Sequence, residues 1–476
     1  MNRVKRPETN QITAWTKASA ATVGPQALQL NRRMTVEEMK AWYKSTMMAA
    51  AKETAVAIPI PGFMCLRRLG KGGFGEVWDV REDISGRCYA LKHIRAAHSA
   101  SAISEIRAGV SLFPRVCLQV NAVTLQLVTP VSTQDVGLIE QQQEPKVDPK
   151  SPREMANSTR PPPFAELFRV FQDNRDFWLF YERGGRTLHE LLFEIHGEFH
   201  KGSRVYCLEH KALYQQMRAS PAIVQSLLRQ LLEAVKALSS HQIVHADIKP
   251  DNILLQWRTS TATYLKNPGS REEPELCVQL IDFGSAFVTA KGRYLSNPSL
   301  RGGGEGTPEY IPPEALVPSA PPPLVRPQSS SSTSSSSSSL KVASTDSSPS
   351  SQTSSFDVWS VGAVFLEVLC GFPLWFRYCS RVELGHNREH WLKTGGLFST
   401  KRRDPASIQQ RQLQVVASLV HSLQSYSAGV IHSWDAQTAE AAMDLLSRLL
   451  DPSPRTRMAP EAALRHPFVH NQAIRR

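Results

Sequence analysis

The sequence predicts an α+β fold, and three stretches carry that prediction. Glu76-Val77-Trp78-Asp79-Val80 and Arg87-Cys88-Tyr89-Ala90-Leu91-Lys92 alternate in polarity with the period of two expected of antiparallel strands, next to a glycine-rich turn. Phe177-Trp178-Leu179-Phe180-Tyr181-Glu182 is a short apolar run that reads as a further strand. Ile223, Leu227, Leu228, Leu231, Leu232, Val235 and Leu238 recur at helical spacing, so this segment is expected to be a packed helix.

At 476 residues the chain is long enough for two ordinary domains, or for one larger two-lobed unit with extensions. A formal charge of +12 raises the question of nucleic acid, but the basic residues are dispersed. Only short clusters occur, at Arg3-Lys5-Arg6, Arg32-Arg33 and Lys401-Arg402-Arg403, and no specific nucleic-acid partner is expected from them. Seven cysteines, without a paired C-x-x-C arrangement, point to a reducing compartment without structural disulfides or zinc. The most apolar stretch, Val361 to Leu369, is interrupted by Glu367 and is too short to span a bilayer, so it is expected to be a buried helix. With no apolar signal segment at the N-terminus, the expected location is intracellular, cytoplasmic or nuclear.

Residues 1–62 are expected to form a mostly flexible arm, in which Met34, Met39 and Trp42 could line one short helix. Three stretches read as insertions. Residues 128–163 are rich in Gln, Pro, Ser and charge, 258–275 lengthens a connection, and 318–355 contains a serine tract. That tract cannot bury enough apolar surface to offset its ordering entropy and offers sites for phosphorylation. Residues 469–476 are read as a tail.

The chemistry lies in motifs at fixed order. Gly70-x-Gly72-x-x-Gly75 alone is weak, because the same spacing serves dinucleotide-binding folds and simple turns. Here it is followed by Val77 and by a strand ending in Lys92, with no helix directly after the glycines. Downstream come His245-Ala246-Asp247-Ile248-Lys249-Pro250-Asp251-Asn252, then Asp282-Phe283-Gly284, then Gly306-Thr307-Pro308-Glu309-Tyr310-Ile311-Pro312-Pro313-Glu314. From about Phe63 to Phe468 this order resembles the eukaryotic protein kinases of the serine/threonine type.

The resemblance implies a bilobal protein-kinase-like fold, with a small antiparallel-sheet lobe (63–183), a larger mostly helical lobe (184–468) and ATP between them. Catalysis by such a site is positioning and charge stabilisation more than covalent chemistry. By resemblance Asp247 is the base or hydroxyl-orienting residue, Lys249 neutralises the transferring phosphate, and Asn252 and Asp282 bind Mg2+. Lys92 reaches the phosphates and is held by Glu105. Leu69, Gly70, Gly72, Gly75, Val77, Ala90 and Leu254 surround the nucleotide, Tyr181 sits behind the adenine, and Glu182 to Gly184 face the base. The implied substrates are Ser/Thr hydroxyls of proteins. Thr307 is implied to tie the substrate loop to Asp247 and Lys249, Glu314 to pair with Arg455, and Asp357 to steady the catalytic-loop backbone.

Two departures from the family pattern bear on regulation and packing. The residue before Asp247 is Ala246 where switchable members carry a phosphate-binding arginine, and the usual phosphorylated position corresponds to Gly303. Activity independent of that phosphorylation is therefore expected. Four residues after Glu105 stands Gly109, where the family places an apolar side chain linking the lobes. Retention of Lys92, Asp247 and Asp282 favours an active enzyme over a scaffold that keeps the fold and lacks the activity. The substrate-loop signature disfavours a small-molecule kinase.

Overall fold

The computed structural model describes residues 60–73, 75–113, 115–128, 162–173, 176–200, 203–258, 275–288, 307–317, 349–375, 381–384, 388–392, 397–398, 404–424 and 429–470. Most of the arm, the serine tract and the bulk of the three insertions lie outside these residues.

The first part is a six-stranded sheet. Its strands are β1 (Phe63–Lys71), β2 (Gly75–Glu82), β3 (Cys88–Ile94), β4 (Cys117–Gln119), β5 (Leu167–Gln172) and β6 (Phe177–Glu182), in spatial order β1-β2-β3-β6-β5-β4. All neighbours are antiparallel except β4 and β5. Alternation along the strands supplies a different apolar cluster to each side of the sheet. Leu91, Phe180, Trp178 and Val80 build one, which Ile60 joins at 6% exposure, so the packed chain already includes a residue of the predicted arm. Ile94, Leu167, Leu179 and Phe177 build the other, with Ala102 and Ile106 of helix α1 (Ser99–Leu112). Helix α2 (Ala122–Val128) packs beside α1 and closes the side of this cluster with Val128.

The remaining helices are α3 (Leu188–Leu192), α4 (Ala212–Ala219), α5 (Pro221–Ser240), α6 (Pro313–Leu316), α7 (Pro349–Cys370), α8 (Pro405–Ala417), α9 (Leu419–Gln424), α10 (Ala436–Leu449), α11 (Pro460–Leu464) and α12 (Pro467–His470). Helix α5 follows the predicted apolar spacing, with Val224, Leu227, Leu228, Leu231, Leu232, Val235 and Leu238 buried, while Ile223 is partly buried at its edge. It packs on α7, in which every residue from Ser354 to Cys370 is buried. Helix α7 begins inside the stretch 318–355 that composition assigned to an insertion, because Ser354 and Ser355 have polar partners within the core, Ser355 donating to the Pro454 carbonyl. Val469 is fully buried as well, and its carbonyl accepts from Arg229, so the core extends into the predicted tail.

This second part is less purely helical than expected. β7 (Arg186–Thr187), β11 (Ile253–Arg258) and β12 (Glu275–Leu280) form a three-stranded sheet, and β10 (Ile243–Val244) pairs with β13 (Phe287–Val288). β8 (Phe193–His200), β9 (Ser203–His210), β14 (Arg381–Leu384) and β15 (Arg388–Leu392) form a four-stranded sheet ordered β14-β15-β9-β8 that the sequence reading did not anticipate. The β11–β12 ladder runs out to the pair Arg258↔Glu275, which places the predicted 258–275 insertion at the open end of a continuous hairpin. Among the described residues no helix is long and apolar enough to cross a membrane.

Candidate active site

Strand register brings one group of the predicted residues together. Val77 lies opposite Lys92 in the β2–β3 ladder, and Ala90 lies opposite Tyr181 in the β3–β6 ladder. Residues directly opposite, or two apart on one strand, share a face, so Val77, Ala90, Lys92 and Tyr181 all stand on the same side of the sheet. Gly75 begins β2, and a Cβ there would lie 1.9 Å from the His93 carbonyl oxygen, so only glycine lets the hairpin come this close to β3. At the far end of β6, a Cβ on Gly184 would meet the Leu254 side chain at 2.4 Å, and one on Gly185 the Leu255 carbonyl oxygen at 1.8 Å. The connection from β6 therefore lies directly against β11. Leu69, by contrast, is half open to solvent at 38% exposure.

Lys92 is the centre of a buried ionic group. Its Nζ donates to Glu105 Oε2 at 2.6 Å and to Asp282 Oδ1 at 2.7 Å, and Tyr181 donates its hydroxyl to Glu105 Oε1 at 2.7 Å. Glu105, 1% exposed on α1, thus makes the expected contact with Lys92. Burial works against the Lys92 charge, but Asp282 and Glu105 outweigh it and hold the ammonium above its ordinary range. Burial pushes Glu105 up, opposed by Lys92 and Tyr181. For Asp282 burial is overcome by Lys92, whose charge and hydrogen bond lower it. Asp282 also accepts from the Gly284 amide and sits at φ 65°, the left-handed region that non-glycine residues rarely adopt. The expected helical side chain at 109 is replaced from another element. A Cβ on Gly109 would meet Leu167 Cδ2 at 2.3 Å, so Leu167 of β5 fills that space.

The catalytic-loop residues form a second group. Asp247 accepts from Lys249 Nζ and from Asn252 Nδ2, both at 2.8 Å, and Asn252 Nδ2 also donates to the Asp247 carbonyl at 2.8 Å. Burial raises the Asp247 carboxyl, with Lys249 opposing. Asp357, 1% exposed on α7, accepts from the His245 amide at 2.8 Å and the Ala246 amide at 3.0 Å, which fixes the loop from below. The two groups meet through Asp282 and Phe283: the His245 ring lies 4.7 Å from the Phe283 ring, and Phe164 packs edge-on to Phe283 at 5.9 Å. Burial lowers the His245 imidazole, which keeps it neutral in this stack.

Two expected contacts are corrected. Glu314 pairs with Arg457, not Arg455. Arg457 Nη1 and Nη2 donate to the two Glu314 oxygens at 2.8 and 3.0 Å, and its side chain is fully buried, whereas Arg455 is exposed. The turn after Asp451 is the cause, since the Ser453 carbonyl accepts from the Thr456 and Arg457 amides and this turns Arg457 inward. Among the described residues, the hydrogen bonds to the Asp247 carboxylate come from Lys249 and Asn252, and the expected tie from Thr307 is not made. Sequence reasoning missed the Tyr181 to Glu105 hydrogen bond. The signal it had was a polar tip on an otherwise apolar strand.

The protein kinase domain model matches residues 153–336, which include Asp247, Lys249, Asn252, Asp282 and Glu314. The chain is 26% identical over 329 residues to a protein of Arabidopsis thaliana described as a probable inactive protein kinase, covering 62% of this chain and 80% of that one. It is 24% identical over 257 residues to the phosphorylase b kinase gamma catalytic chain, liver/testis isoform, of Homo sapiens (54% of this chain, 42% of the relative). It is 26% identical over 251 residues to serine/threonine-protein kinase 17A of Oryctolagus cuniculus (53% of this chain, 41% of the relative). The chain thus spans less than half the length of these last two relatives. Two ionic groups side by side, the ordered motifs and these matches lead to one likeness: the chain carries a match to the protein kinase domain and is similar to the eukaryotic protein kinases.

Proposed function

We propose that the chain is a serine/threonine protein kinase that transfers the γ-phosphoryl group of Mg-ATP to protein hydroxyls between two lobes, the sheet of β1–β6 and the part built on α5 and α7. The observation that carries this reading is the convergence of Lys92, Glu105 and Asp282 with Asp247, Lys249 and Asn252. The donor set suits the metal. Asn252 commits its amide nitrogen to Asp247, leaving Oδ1, and Asp282 commits Oδ1 to Lys92 and Gly284, leaving Oδ2. Both are hard oxygen donors of the type Mg2+ takes alongside phosphates. When bound, Mg-ATP supplies the transferable phosphoryl group and the metal charge that offsets its oxygens.

The chain's own residues do the rest. Lys92, held charged, orients the phosphates. Asp247 Oδ2 is taken by Lys249 and Asn252, which aims Oδ1 at an incoming hydroxyl and lets the raised carboxyl accept its proton. Lys249, 2.8 Å from Asp247, supplies a positive charge beside that carboxylate that would offset charge developing on the transferred group. Serine/threonine preference is supported by Lys249 within this loop and by the sequence Gly306 to Glu314. Independence from loop phosphorylation is supported by packing around Ala246. It lies in an apolar cluster with Val244, Ile311 and Phe356, against which Phe287 packs, so apolar contact joins the catalytic loop to the substrate loop where a switchable member has arginine.

The test is magnesium-dependent transfer from ATP to a generic basic protein and to the chain itself. Asp247→Asn is expected to lower turnover on the order of 10²–10⁴-fold with ATP binding retained. The description of the Arabidopsis relative favours a second reading, an interaction scaffold on the same fold. Absence of both turnover and ATP binding in the unaltered protein would favour it over the kinase reading.

A further inference from the structure

We infer that Tyr181 is a positioning residue for phosphoryl transfer, its hydroxyl fixing the Glu105 carboxylate in the orientation that holds Lys92. The role deepens the kinase reading and rests on it.

Four observations converge. The two Glu105 oxygens have different partners, Oε2 facing Lys92 at 2.6 Å and Oε1 facing Tyr181 at 2.7 Å, in a group that is 1% exposed. Lys92 is itself shared, because it also donates to Asp282 at 2.7 Å, the carboxylate proposed for the metal. A glutamate held by the shared lysine alone would follow it; the second bond makes Glu105 the fixed member of the pair.

The helix that carries Glu105 leaves this task to polar contacts. Apart from Glu105 itself and Ile106, the fully or nearly buried residues of α1 are small, namely Ser101, Ala102, Ala108 and Gly109, and the helix has no side-chain cap at its N-terminus. Small residues fix the closeness of approach better than the angle of a long side chain.

Tyr181, on the other hand, is presented rigidly. It sits on β6 with Ala90 opposite on β3 and Leu167 opposite on β5, and its ring packs against the cluster that contains Leu167 and Leu179. The same strand ends at Glu182, and the chain continues directly into Arg183 and Gly184. One strand therefore links the proposed base-binding segment to the proposed phosphate-binding lysine through a single hydroxyl.

The chemistry suits a tyrosine. A phenol donates one hydrogen bond without adding charge, so it fixes Glu105 without competing for it as a second cation would. Burial, followed by Glu105 itself, holds this phenol well above its ordinary range, so it remains a donor.

The test uses the full chain, with Tyr181→Phe, which keeps the ring, and Tyr181→Met, which replaces it. Loss of a hydrogen bond to a charged group predicts a fall in kcat of about tenfold to a hundredfold in both, with KM for ATP in Tyr181→Phe little changed and melting near that of the unaltered protein. Combined with Glu105→Gln, Tyr181→Phe is expected to cost nothing further, since the two act as a unit. In the nucleotide-free protein, acylation of Lys92 by an amine-directed reagent, read by peptide mass spectrometry, is expected to be slow and to accelerate in Tyr181→Phe.

Unchanged kcat in both variants, or a multiplied loss in the double variant, overturns the inference. The labelling separates it from the reading it rests on. If the unaltered protein lacks turnover and yet Lys92 labelling responds to Tyr181→Phe, the kinase reading fails and the positioning stands. Labelling that ignores the hydroxyl overturns the positioning itself.

Discussion

Arg457→Ala is expected to destabilise the protein by about 3–5 kcal/mol, the usual result of removing one member of a buried ion pair and leaving the other uncompensated. Arg457 is unusually well engaged. Its two terminal nitrogens meet both Glu314 oxygens, Nη1 also donates to the Ser355 carbonyl at 2.8 Å, and Nε donates to the Asp451 carbonyl at 2.9 Å. The guanidinium stands 5.1 Å from the centre of the buried Trp359 ring, and its side chain has no exposure. One planar fork thus joins the turn after α10, the start of α7 and the end of the substrate loop. Truncation leaves Glu314 without its cation and the Asp451 and Ser355 carbonyls without this donor, so the loss exceeds that of the pair alone. Lysine cannot reproduce the fork, and Arg457→Lys is expected to recover only part of the stability. Arg455→Ala, at an exposed site, is expected to change stability by at most about 0.5 kcal/mol. Denaturant unfolding of the three variants decides the matter. Equal losses for Arg455→Ala and Arg457→Ala would contradict the pairing seen in the structure.

The same two arginines show what the sequence could and could not disclose. They stand two residues apart in Pro454-Arg455-Thr456-Arg457-Met458, and no local pattern distinguishes them. Only the turn closed by the Ser453 carbonyl decides which one faces the core. The catalytic loop was legible because its groups act on one another across a few residues: Asp247, Lys249 and Asn252 meet within a single turn of chain. Lys92, Glu105 and Asp282 were legible as motifs, although the last two lie 177 positions apart in sequence, since each stands at the end of a strand or on a helix face with its own local signature. The Tyr181 bond had no such signature, because a tyrosine on an apolar strand reads as core until its tip is seen to face an acid. The four-stranded sheet was also missed. Phe193-Glu194-Ile195-His196 alternates with period two, but the second half of that sheet, Arg381–Leu384 and Arg388–Leu392, arrives some 180 residues later as two strands of four and five residues. Pairing between short, distant strands is decided by the fold around them, which a local period cannot report. The substitution at 109 follows the same rule, in that a missing side chain on α1 is supplied by Leu167 from a different strand.

Glu367→Gln is expected to abolish a fall in stability with rising pH. Glu367 interrupts the most apolar stretch of α7 and has no exposure. Its Oε2 accepts from the Tyr310 hydroxyl and, at 3.2 Å, from the Leu374 amide, while Oε1 is buried without a hydrogen-bond partner among the described residues. Burial pushes this carboxyl up from 4.5 to about 8, with Tyr310 and Leu374 opposing and Asp251 adding a smaller rise. The native state therefore binds a proton that the unfolded chain releases between these values. With more protons bound in the native state, stability has a negative slope in that window: the contribution is full below about 4.5, declines as pH rises, and is lost above about 8. A shift of this size corresponds to a loss on the order of several kcal/mol across the window. Other groups add slopes of both signs, since Asp282 and Asp444 lie below their ordinary range and gain stability as they ionise, while burial raises Glu105, Asp247 and Asp357, which slope as Glu367 does. The quantity to measure is thus the difference between the unaltered protein and the variant. Glutamine keeps an acceptor for Tyr310 and Leu374 but never ionises, so Glu367→Gln is expected to match the unaltered protein near pH 5 and to exceed it near pH 8. Parallel stability curves for the two proteins would mean that Glu367 is ionised in the folded core at neutral pH. Tyr310 belongs to the same segment as Thr307 and Glu314, so the proton on Glu367 also helps to seat the proposed substrate loop on α7. Alkaline loss of activity ahead of unfolding, absent in Glu367→Gln, is the expected functional trace of that proton.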